Sequence, residues 1–309
     1  MSRFVYVNGR YVPRQSAGIS AEDRGFLFGD AVYEVCEVLD GHLIDETRHV
    51  ERLCRSLGEL RMELPMAPAA LGRVLRETIR RNRVRDGMVF LQVSRGVGHH
   101  GRDFLFPDPP VPPTIVCTAR SLDPHRIELR AQRGIAVATA PDNRWGRCDI
   151  KTAMLLAACL AKDDARRQGA EEAWFVDGEG LVTEGASSNA WIVDAAGRLR
   201  TRALGQNLLR GITRTTLIEV IAKEGIELFE APFTVAEAQA AREAFVSSAT
   251  AIVMPVVSID GNPVGNGHPG SVSLRLRSLF HATAERAREH LAEVARLQPL
   301  RLRLLVDGD

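Results

Sequence analysis

The sequence predicts an α+β protein of two domains, with mixed, largely antiparallel sheets and flanking helices. Its 309 residues exceed what a single hydrophobic core usually organises. Turn dipeptides separate segments rich in β-branched and aromatic residues, a pattern typical of β-hairpins. These dipeptides are Asn8-Gly9, Asp40-Gly41, Asp177-Gly178, Ala196-Gly197 and Asp260-Gly261. The apolar spacing of helices occurs instead in residues 50–60, 153–165 and 272–296.

We expect a smaller N-terminal domain over residues 1–120 and a larger C-terminal domain over residues 134–309. Between them, residues 121–133 contain Asp123-Pro124 and many polar side chains, which is typical of an interdomain linker. The chain contains no repeat of fixed period and no glycine-rich nucleotide motif. The sequence therefore argues against an ATP or dinucleotide site.

The composition limits the classes of partner. A formal net charge of +1 creates no long-range field that would attract nucleic acid or an anionic membrane, so we expect neither, and we expect no metal site. The chain has no apolar signal core and no apolar stretch long enough to span a bilayer, so we expect a cytoplasmic protein. Five cysteines in widely spaced, often apolar surroundings predict buried, reduced thiols.

Lysine is rare in this sequence, and one lysine stands apart. The chain contains Lys151, Lys162 and Lys223, and the last two neighbour acidic residues on predicted helices, as surface lysines do. Lys151 precedes an apolar helical run and is expected at a strand-to-helix junction. Partial burial there would favour a neutral, nucleophilic amine. Alternatively, its stem packs on apolar neighbours while the ammonium reaches water.

A second candidate group is the carboxylate of Glu184, at the end of a predicted strand and before a run of small hydroxyl residues. A buried carboxylate needs a cationic or protonated partner, and a pyridinium nitrogen would serve. The alternative is an ordinary turn with local serine and asparagine hydrogen bonds.

A third candidate is an anion site at a helix start. Gly211, Ile212 and Thr213 open a predicted helix, whose first N–H groups have no partners within the helix. Residues 247–250 (SSAT) follow a predicted strand and can add hydroxyl and amide donors to the same anion. Ordinary helix capping explains the first segment equally well.

Six segments together resemble the class IV pyridoxal-phosphate aminotransferases, and among these most nearly the bacterial D-amino-acid aminotransferases. The resemblance extends over nearly the whole chain, and the order and spacing of the segments are more specific than any single one. The segments are residues 22–34 (EDRGFLFGDAVYE), 49–53 (HVERL), 92–96 (QVSRG), 147–151 (RCDIK), 183–189 (TEGASSN) and 211–214 (GITR). The family implies the architecture of fold type IV, a C-terminal domain that binds the cofactor, and a homodimer.

The resemblance also implies roles for individual residues. Lys151 would hold pyridoxal 5'-phosphate as a Schiff base, Glu184 would pair with the pyridine nitrogen, and Leu209 would lie against the ring. The implied phosphate and further cofactor contacts are Arg52, Ile212, Thr213, Ser248 and Ala249. Ala249 stands where close relatives carry a hydroxyl residue, so this contact is expected from the backbone or from Thr250.

On the substrate side the sequence departs from the D-specific relatives. The implied substrate-binding residues are Tyr33, Phe90, Arg102 and Phe104. Arg102 matches the arginine that binds the substrate α-carboxylate in those relatives, whereas Phe104 replaces a histidine and Phe90 a frequent tyrosine. His99 or His100 either substitutes for that histidine in space or faces the solvent.

The implied function is ping-pong transamination between a D-amino acid (D-alanine or D-glutamate) and a 2-oxo acid (pyruvate or 2-oxoglutarate), with Lys151 as acid and base. Branched-chain L-aminotransferases, (R)-amine transaminases and aminodeoxychorismate lyases share the scaffold and remain alternatives. A non-catalytic protein that binds pyridoxal phosphate is a further alternative, which intact Lys151 and Glu184 disfavour.

Overall fold

The computed structural model of the protein describes residues 2–286. The predicted helical stretch extends to residue 296, so its last part lies outside this range, as does the tail that follows it. The described residues form two compact units, residues 2–122 with 285–286 and residues 123–284. Where the sequence suggested a linker, Pro124–Arg133 form a helix, and the Asp123 carboxylate accepts hydrogen bonds from the N–H groups of its first turn. Proline suits this position because its missing N–H is one that a helix start leaves unpaired.

An antiparallel sheet forms the centre of the first unit, with the strand order β2-β1-β6-β5-β3-β4 over the described residues. Its strands are β1 (Phe4–Val7), β2 (Arg10–Pro13), β3 (Ala31–Leu39), β4 (His42–Leu43), β5 (Gly87–Ser94) and β6 (Thr114–Ser121). The helices of this unit are α1 (Arg24–Phe28), α2 (Glu46–Glu59) and α3 (Pro68–Asn82), with a 3-10 turn at Arg14–Ser16. Helices α2 and α3 pack on the sheet, and their apolar side chains form the core with alternate residues of β3 and β5.

A larger mixed sheet forms the centre of the second unit. Its order is β12-β11-β10-β13-β14-β7-β8-β9, with β15 beside β14, among the residues that the structure describes. The strands are β7 (Ile135–Pro141), β8 (Glu172–Val176), β9 (Val182–Gly185), β10 (Asn189–Val193), β11 (Leu199–Thr201), β12 (Leu228–Glu230), β13 (Glu243–Ser248), β14 (Ile252–Ile259) and β15 (Asn262–Pro263). The helices are α4 (Pro124–Arg133), α5 (Leu156–Arg167), α6 (Ile212–Lys223), α7 (Val235–Gln239) and α8 (Ser271–Thr283).

The strand pairings confirm the predicted α+β fold with mixed, largely antiparallel sheets. Each of the five turn dipeptides lies in an antiparallel hairpin. At Asn8-Gly9, Asp40-Gly41 and Asp260-Gly261 both turn residues have positive φ, which matches the twist of the flanking strands. No helix within residues 2–286 is both long and apolar enough to cross a membrane.

Helix α5 corrects two expectations. It begins at Leu156 rather than near residue 153, and it packs on the sheet through Ala158, Ala161 and Ala165. Cys159 lies off this alanine stripe and is exposed, so its predicted burial is wrong. The other thiols are buried (Cys36, Cys117) or half-buried (Cys54, Cys148), and all five are free of disulfides.

Candidate active site

Lys151 lies in the irregular segment between β7 and α5, at the strand-to-helix junction that the sequence predicted. The neighbouring side chains of Ile150 and Thr152 are buried, and Lys151 itself is half-buried. Burial raises the pKa of the Glu184 carboxyl, and the charge of Lys151 is among the influences that lower it. The two functional groups that the sequence predicted separately therefore lie near one another.

Glu184 is the second residue from the end of β9 and is buried. Its Oε1 accepts a hydrogen bond from Arg144 Nη1 at 2.5 Å. Its Oε2 accepts from Asn189 Nδ2 and from the backbone N–H of Leu209, each at 3.1 Å. Glu184 is therefore a fixed acceptor within a polar network. The expected local asparagine hydrogen bond is present, from Asn189, but Arg144 and the Leu209 N–H bind Glu184 as well.

Arg144 connects Glu184 to a second carboxylate. Its Nε and Nη2 donate to the two oxygens of Asp142 at 2.9 and 2.8 Å. Burial raises the pKa of Glu184 to about 7, and the Arg144 guanidinium opposes this rise. The linked cluster holds two carboxylates and one guanidinium. When both carboxylates are ionised, Arg144 leaves one negative charge unbalanced, which a cation at Lys151 or on a bound ring would balance.

Helix α6 begins beside this network. Gly211 caps its N-terminus, followed by Ile212 and Thr213, so the helix starts where the sequence predicted. A Cβ on Gly211 would lie 2.1 Å from Asn189 Oδ1, too close for any side chain. Because Asn189 Nδ2 also donates to the Leu209 carbonyl at 2.9 Å, the N–H groups of this helix start are held close to the Glu184 network.

The predicted serine segment lies at the end of β13. Ser247 pairs with Asn189 of β10, and its hydroxyl accepts a hydrogen bond from Trp191 Nε1 at 2.9 Å. Ser248, the last residue of the strand, is half-buried, as are Ala249 and Thr250 in the turn that follows. The pairing of β10 with β13 therefore brings this turn and the start of α6 to the same region of the second unit.

In the first unit, Tyr33 and Phe90 share one face of the sheet. Their rings are 5.6 Å apart, and both side chains are half-buried. Glu34 follows Tyr33 and therefore points to the opposite face, because side chains alternate along a strand. The structure thus brings together two of the four predicted substrate residues.

Arg52 lies on the buried side of α2 and forms a bidentate ion pair with Glu34. Its Nε donates to Oε1 at 2.8 Å and its Nη2 to Oε2 at 2.7 Å. His49 Nδ1 also lies 2.7 Å from Oε2. Burial alone would raise the pKa of Glu34, but these contacts lower it to about 2, so the carboxylate can only accept, and His49 donates to it.

The other two predicted substrate residues, Arg102 and Phe104, lie on the irregular loop of residues 98–107. Phe104 is exposed and Arg102 is exposed as well. The Arg102 guanidinium lies 5.6 Å from the rings of Phe28 and Phe104. His99 and His100 are exposed on the same loop, and His99 contacts the carbonyl of Pro109. The solvent-facing alternative therefore describes both histidines.

Buried Arg24 holds this loop in place. Its Nη1 donates to the carbonyls of Asp103 and Leu105 at 2.6 and 3.0 Å, and its Nε donates to Asp30 at 2.9 Å. Arg95 shares the Asp30 carboxylate, at 2.7 Å. Two arginines and one carboxylate therefore fix the backbone that carries Arg102.

Sequence reasoning assigned no role to several of these residues. Asp142, Arg144 and Asn189 surround Glu184, and Glu34 and His49 surround Arg52. A usable signal existed for Glu34, because a carboxylate at a core-facing position of an alternating strand requires a partner. Lys162, interpreted as a solvated lysine, has its Nζ 3.3 Å from the buried carboxylate of Glu172, so that interpretation missed its partner.

The second unit offers the groups that pyridoxal phosphate requires. An amine lies near a buried carboxylate with one negative charge left to balance, which suits a protonated pyridine nitrogen. The start of α6, whose first N–H groups are held close to the Glu184 network, suits a phosphate. The residues present therefore fit the cofactor, and the fold and these groups define a pyridoxal-phosphate-dependent aminotransferase of fold type IV.

Comparisons with known proteins agree with this class. The chain belongs to the class IV aminotransferase family, whose sequence model, described as amino-transferase class IV, matches residues 31–259. The chain is similar to a protein named D-alanine aminotransferase from Staphylococcus haemolyticus, with 40% identity over 91% of this chain and 98% of the relative. A protein of the same name from Listeria innocua is 38% identical over 89% and 94%.

Among solved structures, the chain resembles a branched-chain amino acid aminotransferase of T.th. with pyridoxamine 5'-phosphate. The TM-score is 0.81 at 28% identity, over 91% of this chain and 93% of the other. The fold type, the enzyme class and the cofactor predicted from the sequence are thereby confirmed.

Proposed function

We propose that this aminotransferase transfers the amino group between a D-amino acid, D-alanine or D-glutamate, and a 2-oxo acid, pyruvate or 2-oxoglutarate, by a ping-pong mechanism. The observation that carries the chemistry is the buried Glu184 close to Lys151. The D-preference is supported by the relatives named D-alanine aminotransferase, which align over nearly their whole length.

Lys151 and Glu184 have complementary roles in the proposal. Bound pyridoxal phosphate supplies an aldehyde carbon that takes up the amino group and a ring that accepts the α-carbon electron pair. Lys151 Nζ binds the cofactor between turnovers, then takes the proton from the substrate α-carbon and delivers it to the cofactor carbon. The Glu184 carboxylate keeps a proton on the ring nitrogen, and Leu209 packs against the ring.

The cofactor phosphate is assigned to the N–H groups of Ile212 and Thr213 at the start of α6, with Ser248 and Ala249 as further contacts. Ala249 has no hydroxyl, so it can contribute only its backbone, and the next residue, Thr250, can supply a hydroxyl in its place. The family resemblance assigns a phosphate contact to Arg52 as well. Its bidentate pair with Glu34 would hold the guanidinium in a fixed orientation for that role.

For the substrate, the proposal assigns the α-carboxylate to Arg102 and lines the pocket with Tyr33, Phe90 and Phe104. Phe104 is 73% exposed and carries no donor, so it cannot supply the hydrogen bond of the histidine that it replaces. A carboxylate held by fewer donors would be bound less tightly. We therefore propose a broader substrate range than in the D-specific relatives.

The second candidate is a branched-chain L-aminotransferase, because the solved structure compared above carries that name. (R)-amine transamination and aminodeoxychorismate lyase activity remain alternatives on the same scaffold. The substrate distinguishes them. A lyase would release its products in one reaction, whereas a transaminase needs a second substrate to regenerate the starting form of the cofactor.

The test is to load the full chain with pyridoxal phosphate and follow the absorbance of the bound cofactor as D-alanine, L-alanine, D-leucine and L-leucine are added separately. Conversion by D-alanine alone is the expected result. Conversion by L-leucine alone would overturn the D-preference in favour of the branched-chain activity.

Lys151→Ala should slow this conversion by at least about 10²–10⁴-fold, the factor expected from loss of the proton transfer alone. Lys223→Ala is the matched control, because Lys223 is an exposed lysine at the end of α6. Should the two variants turn over at equal rates, Lys151 is not the catalytic amine.

We also propose that the protein is a cytoplasmic homodimer, and that residues 1–120 and 134–309 act as its two domains. The family resemblance supports these assignments. Sedimentation equilibrium of the loaded enzyme tests the oligomeric state, and a monomer mass would overturn it.

A further inference from the structure

We infer that Arg144 and Asp142 are positioning residues that set the charge of Glu184 opposite the cofactor ring nitrogen. This inference rests on the proposed role of Glu184. It adds two residues, acting through Glu184, to the machinery of the proposed reaction.

The geometry of Arg144 carries the inference. The Nε and Nη2 edge of its guanidinium is occupied by Asp142, and Nη1 is directed at Glu184 Oε1. Nη2 also donates to the Asn207 carbonyl at 3.1 Å, and the guanidinium lies 4.4 Å from the ring centre of Phe175. The group is thus held on several sides and has one orientation toward Glu184. A lysine could not reproduce this planar fork.

Asp142 is held as firmly as Arg144. Thr183, the residue before Glu184, donates its hydroxyl to Asp142 Oδ2 at 2.7 Å. The side chains of Asp142 and Arg144 are 11% and 14% exposed, so bulk water screens their interaction only weakly. The network therefore links the segment before Lys151 to β9.

The division of the arginine between two carboxylates has an electrostatic consequence. One guanidinium shared by two carboxylates stabilises each less than it would stabilise one alone. Arg144 therefore allows Glu184 to ionise, but does not fully balance the negative charge that results. A protonated ring nitrogen would balance the remainder. Arg144 favours the anion of Glu184, and Asp142 weakens that effect.

Other groups near Glu184 do not provide this adjustment. Lys151 acts on the carboxyl more weakly than Arg144 does, and in the loaded enzyme its amine is bonded to the cofactor. Burial raises the pKa of Cys148 to about 11, so its thiol is neutral near pH 7. Asn189 and the Leu209 N–H are donors without a net charge.

Opposite changes are expected from the two positions. Arg144→Met removes the cation, so Glu184 takes up a proton at higher pH than in the wild type. Asp142→Asn leaves Arg144 with one anionic partner, so Glu184 takes up a proton at lower pH. A role limited to holding the local structure would move both variants in the same direction, because both lose the same ion pair.

The experiment measures the affinity of the full chain, freed of cofactor, for pyridoxal phosphate as a function of pH, by quenching of tryptophan fluorescence. Arg144→Met should weaken binding near neutral pH by about 10- to 100-fold, as expected for a lost charge-assisted hydrogen bond to a buried group. Binding should weaken as the pH falls and Glu184 takes up a proton, and the pH at the midpoint of this loss is the quantity compared. In Arg144→Met this midpoint should rise by about one unit or more. In Asp142→Asn it should fall.

Two further variants complete the test. Arg144→Lys keeps the charge with poorer geometry, so its midpoint should lie between those of the wild type and Arg144→Met. Arg166→Met removes an exposed arginine and should match the wild type. Midpoints that are unchanged, or that move the same way in Arg144→Met and Asp142→Asn, would overturn the inference.

Glu184→Gln separates this inference from the proposed function. If Glu184 does not serve the ring nitrogen, Glu184→Gln will bind pyridoxal phosphate as the wild type does, and the proposed role of Glu184 fails. If Glu184→Gln weakens binding but the two neighbouring positions leave the midpoint unchanged, only the inference fails.

Discussion

Glu34 in the first unit and Glu184 in the second are both buried and both bound by an arginine, yet their acidities differ widely. The pKa of Glu34 is lowered to about 2, whereas that of Glu184 is raised to about 7. Exposure does not explain the difference, since the side chains are 4% and 6% exposed. Burial raises the pKa of both groups, so the difference lies in their partners.

Arg52 gives Glu34 two parallel hydrogen bonds, and His49 adds a third. Arg144 donates hydrogen bonds from Nε and Nη2 to Asp142, and only one hydrogen bond, from Nη1, to Glu184. The negative charge of a carboxylate is balanced when it alone pairs with a guanidinium. It is only partly balanced when two carboxylates share one guanidinium. The comparison indicates that Glu34 is built to orient Arg52, while Glu184 is built to receive a further cation.

The largest effect should come from Glu34→Gln. This change removes the carboxylate that faces two N–H groups of buried Arg52, and we expect the free energy of unfolding to fall by about 3–5 kcal/mol. Urea unfolding near pH 7 measures it. Glu77→Gln is the matched control, because Glu77 also has a pKa of about 2 but lies on the surface with Arg80 and Arg81, and no measurable loss is expected. Equal losses in both variants would remove the basis of the comparison.

Glu184 should have the opposite dependence on pH. In the cofactor-free protein its pKa is raised from 4.5 to about 7, so the folded state holds a proton that the unfolded chain releases. The free energy of unfolding should therefore fall as pH rises from about 4.5 to about 7, by up to ~3 kcal/mol relative to Glu184→Gln. For Glu34 the contribution is present above pH 4.5 and is lost as pH falls towards about 2.

Unfolding curves of the wild type and Glu184→Gln across this pH range test the prediction. The two curves should converge at the acid end and separate towards neutral pH, with the variant the more stable. A constant difference between them would mean that Glu184 does not titrate in this window.

The smallest effect should come from His49. His49→Leu removes one donor to Glu34 Oε2, and we expect a loss of about 1–3 kcal/mol together with acid unfolding at higher pH. His49→Asn keeps a donor on a similarly short side chain and should retain more of the stability. If the asparagine variant is as unstable as the leucine variant, packing rather than the hydrogen bond accounts for the loss.

Much of the site followed from local sequence. The position of Lys151 after β7, of Glu184 at the end of β9 and of Gly211 at the start of α6 all matched their predictions, because each depends on nearby residues. The hairpin turns matched for the same reason, since Asn-Gly and Asp-Gly favour tight turns locally, although both residues have positive φ only at Asn8-Gly9, Asp40-Gly41 and Asp260-Gly261. Helix α5 shows the limit: its stripe of alanines, not its larger apolar residues, faces the sheet.

The sequence by itself determined the fold class, the hairpins, the family and the chemical identity of the lysine and the glutamate, but not the helix at Pro124–Arg133. It did not determine that Arg52 pairs with Glu34 across 18 positions, or that Arg144 pairs with Glu184 across 40. Only the tertiary structure decided which arginine pairs with each carboxylate, and whether that arginine is shared with a second carboxylate. The reason is physical: an acidity depends on burial and on charges close in space, and the order of residues along the chain fixes neither.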